Sequence, residues 1–121
     1  MIAVIFEVLP AEGQLDDYMN MAAVLRPELE QMDGFISIER FQSLVTPGKI
    51  LSLSFWRDEQ AVMAWRCHGK HRRTQAMGRS DTFSDYRLRV AHVLRDYGMT
   101  DRAETPDDSG IYHGSVKGPG S

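Results

Sequence analysis

The N-terminal segment Ile2–Leu9 constrains the fold more than any other part of this sequence. Its residues are apolar except Glu7, several are β-branched, and the run stops at Pro10. A near-continuous apolar run of this length is typical of a strand whose two faces are both covered. We therefore predict a central or nearly central strand at the start of the chain. A chain of 121 residues has room for one such domain with a single core.

Two amphipathic helices are predicted after this strand. In the first, apolar residues recur at three- and four-residue steps, namely Leu15, Tyr18, Met19, Ala22, Leu25, Leu29 and Met32. This helix is expected to end at Asp33-Gly34, and Pro27 predicts a kink or a restart near Arg26 because proline removes a backbone hydrogen bond. Asp58 can cap the second helix, which is expected to break at Gly78. Its predicted stripe is Ala61, Val62, Trp65, Gly69, Arg72 and Ala76.

Three further strands are predicted from apolar alternation and turn residues. The segments Phe35–Phe41 and Ile50–Trp56 flank the turn signal Thr46-Pro47-Gly48 and are expected to form an antiparallel hairpin. One face of the third strand carries only Leu51, Leu53 and Phe55 and is expected to be fully buried, whereas the opposite face is mixed. After a loop at 80–83, the segment Tyr86–Leu94 alternates as a fourth strand.

The resulting order β, α, β, β, α, β predicts an α+β, ferredoxin-like domain with an antiparallel sheet at residues 1–97. Two helices cover only one face of a four-stranded sheet, so a largely apolar second face would be left in water. We therefore predict a homodimer, in which two sheets face each other as a dimeric α+β barrel. Residues 98–121 are polar and rich in Gly and Ser towards the end, which predicts a flexible C-terminal tail.

Composition and sequence pattern argue against several classes of protein. A formal net charge of −3 gives no general electrostatic reason to bind nucleic acid or an anionic membrane. No stretch reaches the roughly 18 apolar residues that a membrane-spanning helix needs. The single Cys67 cannot form an internal disulfide, and the N-terminus lacks the basic and small-residue features of a signal peptide. We therefore expect a cytoplasmic protein.

The segment 65–73 concentrates an indole, two imidazoles and four cations on or beside the second helix. In one interpretation Trp65 belongs to the core and the cations form a solvated face. In the other, the segment is one wall of a pocket that holds an anion. His68 and His71 can each serve as a general base or proton shuttle, because neutral imidazole titrates near pH 6.5.

No cofactor is expected from the motifs. Two histidines three residues apart lack the third ligand that a metal site needs, so we predict no bound metal. No phosphate-binding loop is present either, which argues against a conventional flavin or nucleotide site. Cys67 is expected to be a structural or incidental thiol, and His92 a core or interface residue. Arg87 and Arg89 share a strand face, where we expect an acidic partner such as Glu7 or Glu39.

Several segments together carry a family resemblance: Asp33-Gly34-Phe35-Ile36-Ser37, Phe55-Trp56 followed by Arg57-Asp58-Glu59-Gln60-Ala61, then Trp65, His71-Arg72 and Asp85-Tyr86-Arg87. With this layout the chain resembles the antibiotic biosynthesis monooxygenase family of dimeric α+β barrels over about residues 1–97. The resemblance implies cofactor-independent oxidation of an aromatic phenol or quinol by dioxygen. In that chemistry the protein supplies a dry pocket, a base, and donors for developing negative charge.

The resemblance also implies the site. Trp65 matches the family's second-helix tryptophan and becomes a pocket residue, while His71, His68 and Arg72 are the candidate base or donors. The related haem-degrading branch uses a strand-one asparagine, whose position falls on Phe6, so haem degradation is disfavoured. A non-catalytic dimeric ligand-binding or stress-response barrel is the alternative. An apolar cavity open to Trp65, His68 or His71 would favour the enzyme.

Overall fold

The chain folds in the order predicted from the sequence. The structure, a computed structural model, describes residues 1–77 and 83–106, and for 70–77 it describes the backbone alone. Its elements are β1 (Ile2–Pro10), α1 (Leu15–Glu30), β2 (Phe35–Gln42), β3 (Ile50–Trp56), α2 (Glu59–Met77) and β4 (Phe83–His92). This is the ferredoxin-like βαββαβ fold. No helix in the described part is long and apolar enough to cross a membrane.

The four strands form one antiparallel sheet in the order β2-β3-β1-β4. The prediction of a central first strand is confirmed, since β1 pairs with β3 on one side and β4 on the other. Phe6 lies opposite Ser52 and Leu88, and Val4 lies opposite Ser54 and Val90. Because paired residues in a sheet point to the same face, this register assigns each side chain to one face.

The covered face of the sheet, as we call the face under α1 and α2, holds the hydrophobic core. One buried cluster contains Val8, Tyr18, Met21, Leu25 and Ile50, and a second contains Ile2, Leu29, Trp56 and Ala61. The predicted burial of Met19 is wrong. Met19 is 42% exposed and Met21 is buried in its place.

Helix α1 continues through Pro27 to Glu30, so the predicted restart near Arg26 is wrong. Leu25 and Leu29 are both buried, one on either side of the proline. Packing of these two residues stabilises the helical path across the missing hydrogen bond, as tertiary contacts commonly do for unfavourable local residues.

A polar junction joins the end of α1 to the start of α2. Asp58 Oδ1 accepts a hydrogen bond from the Ala61 backbone N–H (2.9 Å), which confirms the predicted cap. This N–H, together with the Arg57 guanidinium, lowers the pKa of the Asp58 carboxyl. Arg57 also binds Asp33 through both terminal nitrogens (3.1 Å each), and its backbone N–H donates to the Gly34 carbonyl (2.7 Å). The junction therefore fixes where both helices meet the β2–β3 hairpin.

The faces of β3 are arranged opposite to our expectation. Ile50, Ser52, Ser54 and Trp56 are buried beneath the helices, whereas Leu51, Leu53 and Phe55 are only half-buried. The mixed face is the inner one because residues of α1 and α2 pack on it, and its two serines are buried there. Ser54 Oγ accepts a hydrogen bond from Trp56 Nε1 (2.9 Å), so the buried indole N–H is satisfied.

Strand β4 starts earlier than predicted. Phe83, which was expected in a loop, pairs with Pro10 after an irregularity in the register at Leu9 and Pro10. His92 is exposed at the other end, so its predicted burial in the core is wrong and its interface role stays a prediction. The domain boundary at residue 97 also stays a prediction, and tail residues 107–121 lie outside the described residues.

Candidate functional site

Helix α2 carries the candidate residues, and Trp65 is its central side chain. The indole is partly buried and packs against both clusters of the core. This contact supports the interpretation that Trp65 belongs to the core. The aromatic ring thus joins the two halves of the core under α2.

His68 lies next to Trp65, at the contact between α1 and α2. The two ring centroids are 5.7 Å apart, and His68 Nε2 is 3.5 Å from Glu28 Oε2 on α1. The His68 and Glu28 side chains are 46% and 33% exposed. A carboxylate at one ring nitrogen can orient an imidazole. His68 is therefore a partly solvated histidine with an acidic neighbour.

The other two candidates cannot be placed in the same detail. The backbone of His71 and Arg72 belongs to α2, while the positions of their side chains lie outside the described residues. Cys67 is exposed. Among the described residues, no group of three His, Cys, Asp or Glu side chains is arranged to hold a metal ion.

An aromatic cluster that sequence reasoning missed lies at one end of the covered face. Four pairs of rings have centroids 5.7 to 6.2 Å apart, namely Phe6–Phe83, Phe6–Tyr86, Tyr18–Phe83 and Phe83–Tyr86. These residues come from β1, α1 and β4, so no local sequence signal could have grouped them. Arg40 of β2 donates from Nε to the Tyr18 hydroxyl (3.3 Å). The cluster therefore combines an apolar surface with a nearby cation.

The covered face also has an apolar part that the helices leave exposed, which we call the β4 strip. It consists of Tyr86, Leu88 and Val90, which are 61%, 46% and 47% exposed. All three share a face with Phe6 and the core, as the register requires. Their alternation is visible in the sequence, but only the fold shows that the helices do not cover them.

The opposite side, which we call the open face, carries a group of charged side chains around Glu7. Lys49 Nζ is 2.8 Å from Glu7 Oε1, and Arg89 pairs with Glu7 Oε2. Hydrogen bonds from Lys49 and then Arg89 lower the pKa of the Glu7 carboxyl below its ordinary value of 4.5. The predicted acidic partner for the β4 arginines is thereby confirmed for Arg89.

Two depressions of about 320 and 270 Å³ adjoin Glu7. The first is lined by Ile5, Glu7, Phe41, Gln42, Ser43, Lys49 and Leu51. Neither depression is lined by Trp65 or His68. A substrate pocket at Trp65 and His68 would therefore lie outside these two depressions.

The fold and these residues can now be compared with known proteins. The sequence profile described as "Antibiotic biosynthesis monooxygenase" matches residues 1–77. The chain belongs to this family. The family resemblance seen in the sequence is therefore confirmed, and with it the general assignment to a family of monooxygenases.

One curated relative is named "Jasmonate monooxygenase ABM" and comes from Pyricularia oryzae. It is 47% identical over 109 residues, which are 88% of this chain and 51% of the relative. The chain thus spans about half the length of this relative.

Solved structures agree on the fold. Rv0793 from Mycobacterium tuberculosis superposes with a TM-score of 0.67 at 15% identity, covering 80% of this chain and 98% of that one. A mutant of MhuD with two manganese protoporphyrin IX bound per active site also gives 0.67, at 14% identity, covering 81% and 99%. At these identities the likeness concerns the fold alone.

Proposed function

We propose that this chain is a monooxygenase that oxidises a small, largely apolar molecule with dioxygen. The observation that carries the proposal is the 47% identity to a jasmonate monooxygenase over most of the chain. Jasmonate is therefore the first substrate to test. Aromatic phenols and quinols, which the family resemblance implies, are the second.

The proposed site lies on the covered face, between α2 and β4. The β4 strip and the aromatic cluster offer apolar and aromatic surface for the substrate. Trp65 of α2 packs against the same buried cluster as Phe6 and Phe83, and His68 lies beside Trp65. His71 and Arg72 belong to the same helix and complete the set of candidate donors and bases.

The two substrate classes need different amounts of reducing power. A phenolic substrate with an acidic CH₂ group can give up a proton, pass an electron to dioxygen and recombine. Loss of water then gives a carbonyl, so that CH₂ and O₂ become C=O and H₂O without any added reductant. Inserting one oxygen atom into an ordinary C–H bond of jasmonate leaves the second atom to become water, which requires two further electrons and two protons. A reduced nicotinamide or flavin would have to supply them.

This difference defines the assay. The purified chain is mixed with jasmonate, with an anthrone-type phenol or with a hydroquinone, in air, with and without reduced nicotinamide or flavin. We expect oxygen uptake with a substrate of this protein, and with jasmonate or the anthrone-type phenol a product carrying one ¹⁸O atom from labelled dioxygen. A hydroquinone that is oxidised to its quinone passes two hydrogens to dioxygen and gains no oxygen atom. Phenol turnover without reductant supports the cofactor-independent chemistry. Jasmonate turnover that occurs only with reductant supports insertion of an oxygen atom into a C–H bond. The absence of product in every combination contradicts the proposal.

Substitutions on α2 test the proposed residues. His68→Ala or His71→Ala should lower turnover on the order of 10²-fold if that histidine is the base. Trp65→Phe should keep the fold but change substrate affinity, because it removes the indole N–H. Met63→Ala, at a 59% exposed position of the same helix, is the matched control and should leave turnover unchanged. Unchanged turnover in all three test variants would remove α2 from the mechanism.

A non-catalytic binding protein is the second candidate. It is favoured by the packing of Trp65 into both core clusters and by the depressions lying elsewhere. Binding of jasmonate or a hydroquinone by calorimetry, with no product formed under any of the above conditions, would support it. Haem degradation is not proposed, because the asparagine position of that branch carries Phe6, a member of the aromatic cluster.

We further propose that the open face binds a second copy of this chain. Ile5, Leu51, Leu53 and Phe55 are only half-buried there, and Phe41 is 42% exposed. Covering this apolar surface is favourable, and an obligate dimer would bury more than about 2,000 Å² in total. The 109 matched residues are 51% of the jasmonate monooxygenase, so that relative is roughly twice as long and has room for a second such domain.

A further inference from the structure

Gly69 occupies an unusual position in α2. It is buried in the interior of a 19-residue helix, where glycine is disfavoured relative to alanine because it has more backbone freedom to lose. A Cβ atom built on residue 69 would lie 3.1 Å from Trp65 Cε2, 3.2 Å from Cζ2 and 3.4 Å from Nε1. Any other side chain at this position would press against the indole, which would have to move by a few tenths of an ångström.

The indole of Trp65 lies on the side of α2 that residue 69 faces, since residues four apart on a helix are neighbours. The same orientation brings its ring centroid to 5.7 Å from that of His68. His68 in turn approaches Glu28 of α1. The missing side chain at residue 69 therefore allows the indole and the imidazole to lie side by side.

We propose that Gly69 is a positioning residue for Trp65, which makes room for the indole beside His68 and so sets the geometry of the site on α2. The expected effect on turnover rests on the proposed monooxygenase function. The effect on the position of the indole does not, and the two are measured separately.

The position of the indole is tested on protein labelled with 5-fluorotryptophan. Its two ¹⁹F resonances, from Trp56 and Trp65, are assigned with Trp65→Phe. Gly69→Ala should shift the Trp65 resonance and leave that of Trp56 in place. Gly98→Ala, whose added Cβ meets nothing within 4 Å, is the matched control and should move neither. An unchanged Trp65 resonance in Gly69→Ala, or a larger change at Trp56 than at Trp65, would overturn the proposal.

The consequence for the reaction is tested by combining the two substitutions. Gly69→Ala should lower turnover on the order of tenfold or more, since small misplacements of site residues are costly. The melting temperature should change little, because the gain in helix propensity from alanine offsets the cost of moving the indole by a few tenths of an ångström. In a Trp65→Phe background Gly69→Ala should have much less effect if it acts through the indole. Equal effects in both backgrounds would overturn the proposal. A wild type without turnover contradicts the proposed function instead, and the ¹⁹F result still decides the role of Gly69.

Discussion

The two faces of the sheet differ in burial, and the sequence of β3 alone would predict the opposite assignment. On β3 the covered face includes Ser52 and Ser54, whereas the open face carries only Leu51, Leu53 and Phe55. The face with the serines is nevertheless the buried one. Its burial comes from side chains of α1 and α2, and its polar atoms are few enough to be satisfied locally, as the Trp56–Ser54 hydrogen bond illustrates.

An apolar strand face therefore need not belong to the core of its own chain. The open face combines an apolar centre with the ion pairs of Glu7, Lys49 and Arg89 nearby. A hydrophobic centre with polar groups around it is the usual anatomy of a protein interface. The covered face stabilises the monomer, and the open face is the surface we expect to bind the second copy.

The largest effect is expected from a charge at the centre of the open face. Leu53→Asp should weaken self-association by about 4 kcal/mol or more, because a two-fold interface contains the change twice. Sedimentation velocity should show a dimer for the wild type and a monomer for this variant at micromolar concentration. Leu44→Asp, at a fully exposed loop leucine, is the matched control and should remain dimeric. A monomeric wild type would contradict the proposal that the open face binds a second copy of the chain.

The next largest effect concerns the junction that carries the helices of the covered face. Gly34 has φ +87°, and an added Cβ would lie 2.6 Å from the Ala61 Cβ. Gly34→Ala should therefore destabilise the fold by roughly 3 kcal/mol, since it adds a clash to backbone strain. Gly13→Ala isolates the strain, because Gly13 has φ +76° with nothing within 4 Å, and should cost about 1 kcal/mol. Equal losses in urea unfolding would argue against close packing at this junction.

A smaller effect is expected for the serine that faces the core. Ser54→Ala removes the acceptor of the buried Trp56 indole N–H and should cost about 1–2 kcal/mol in unfolding free energy. Ser37→Ala, at an exposed position on the open face, should change stability by less than about 0.5 kcal/mol. If the two variants unfold alike, the serines of the covered face are not important for stability.

The smallest effect is the pH dependence of the open-face ion pairs. Contacts with Lys49 and Arg89 lower the pKa of Glu7 below 4.5, so their stabilisation is present above that value and is lost as the pH falls through the lower folded pKa. Glu7→Gln should therefore melt below the wild type at pH 7, and the two melting temperatures should converge on acidification. The exposed Glu12→Gln serves as the control. A difference that does not depend on pH would show that the charge of Glu7 is not responsible.

The candidate site was only partly predictable. The contact between Trp65 and His68 follows from α2 alone, because residues three apart on a helix are neighbours, whereas their place in a site was implied by the family resemblance. The aromatic cluster was missed, since Phe6 and Phe83 lie far apart in sequence and meet only through the β1–β4 pairing. The apolar stripe predicted for α2 also included Gly69, but only the indole atoms beside it explain why a glycine fits there.

Three features could be predicted from the sequence without the structure: the order of elements, the central place of β1 and the cap at Asp58. These features depend on side-chain periodicity and on hydrogen bonds between residues a few positions apart, so a short segment encodes them. Only the tertiary structure decided which face of β3 lies under the helices, where β4 begins, and which surfaces remain exposed. Those outcomes depend on how the helices cross the sheet and on contacts between distant segments, whose packing energies no local pattern contains.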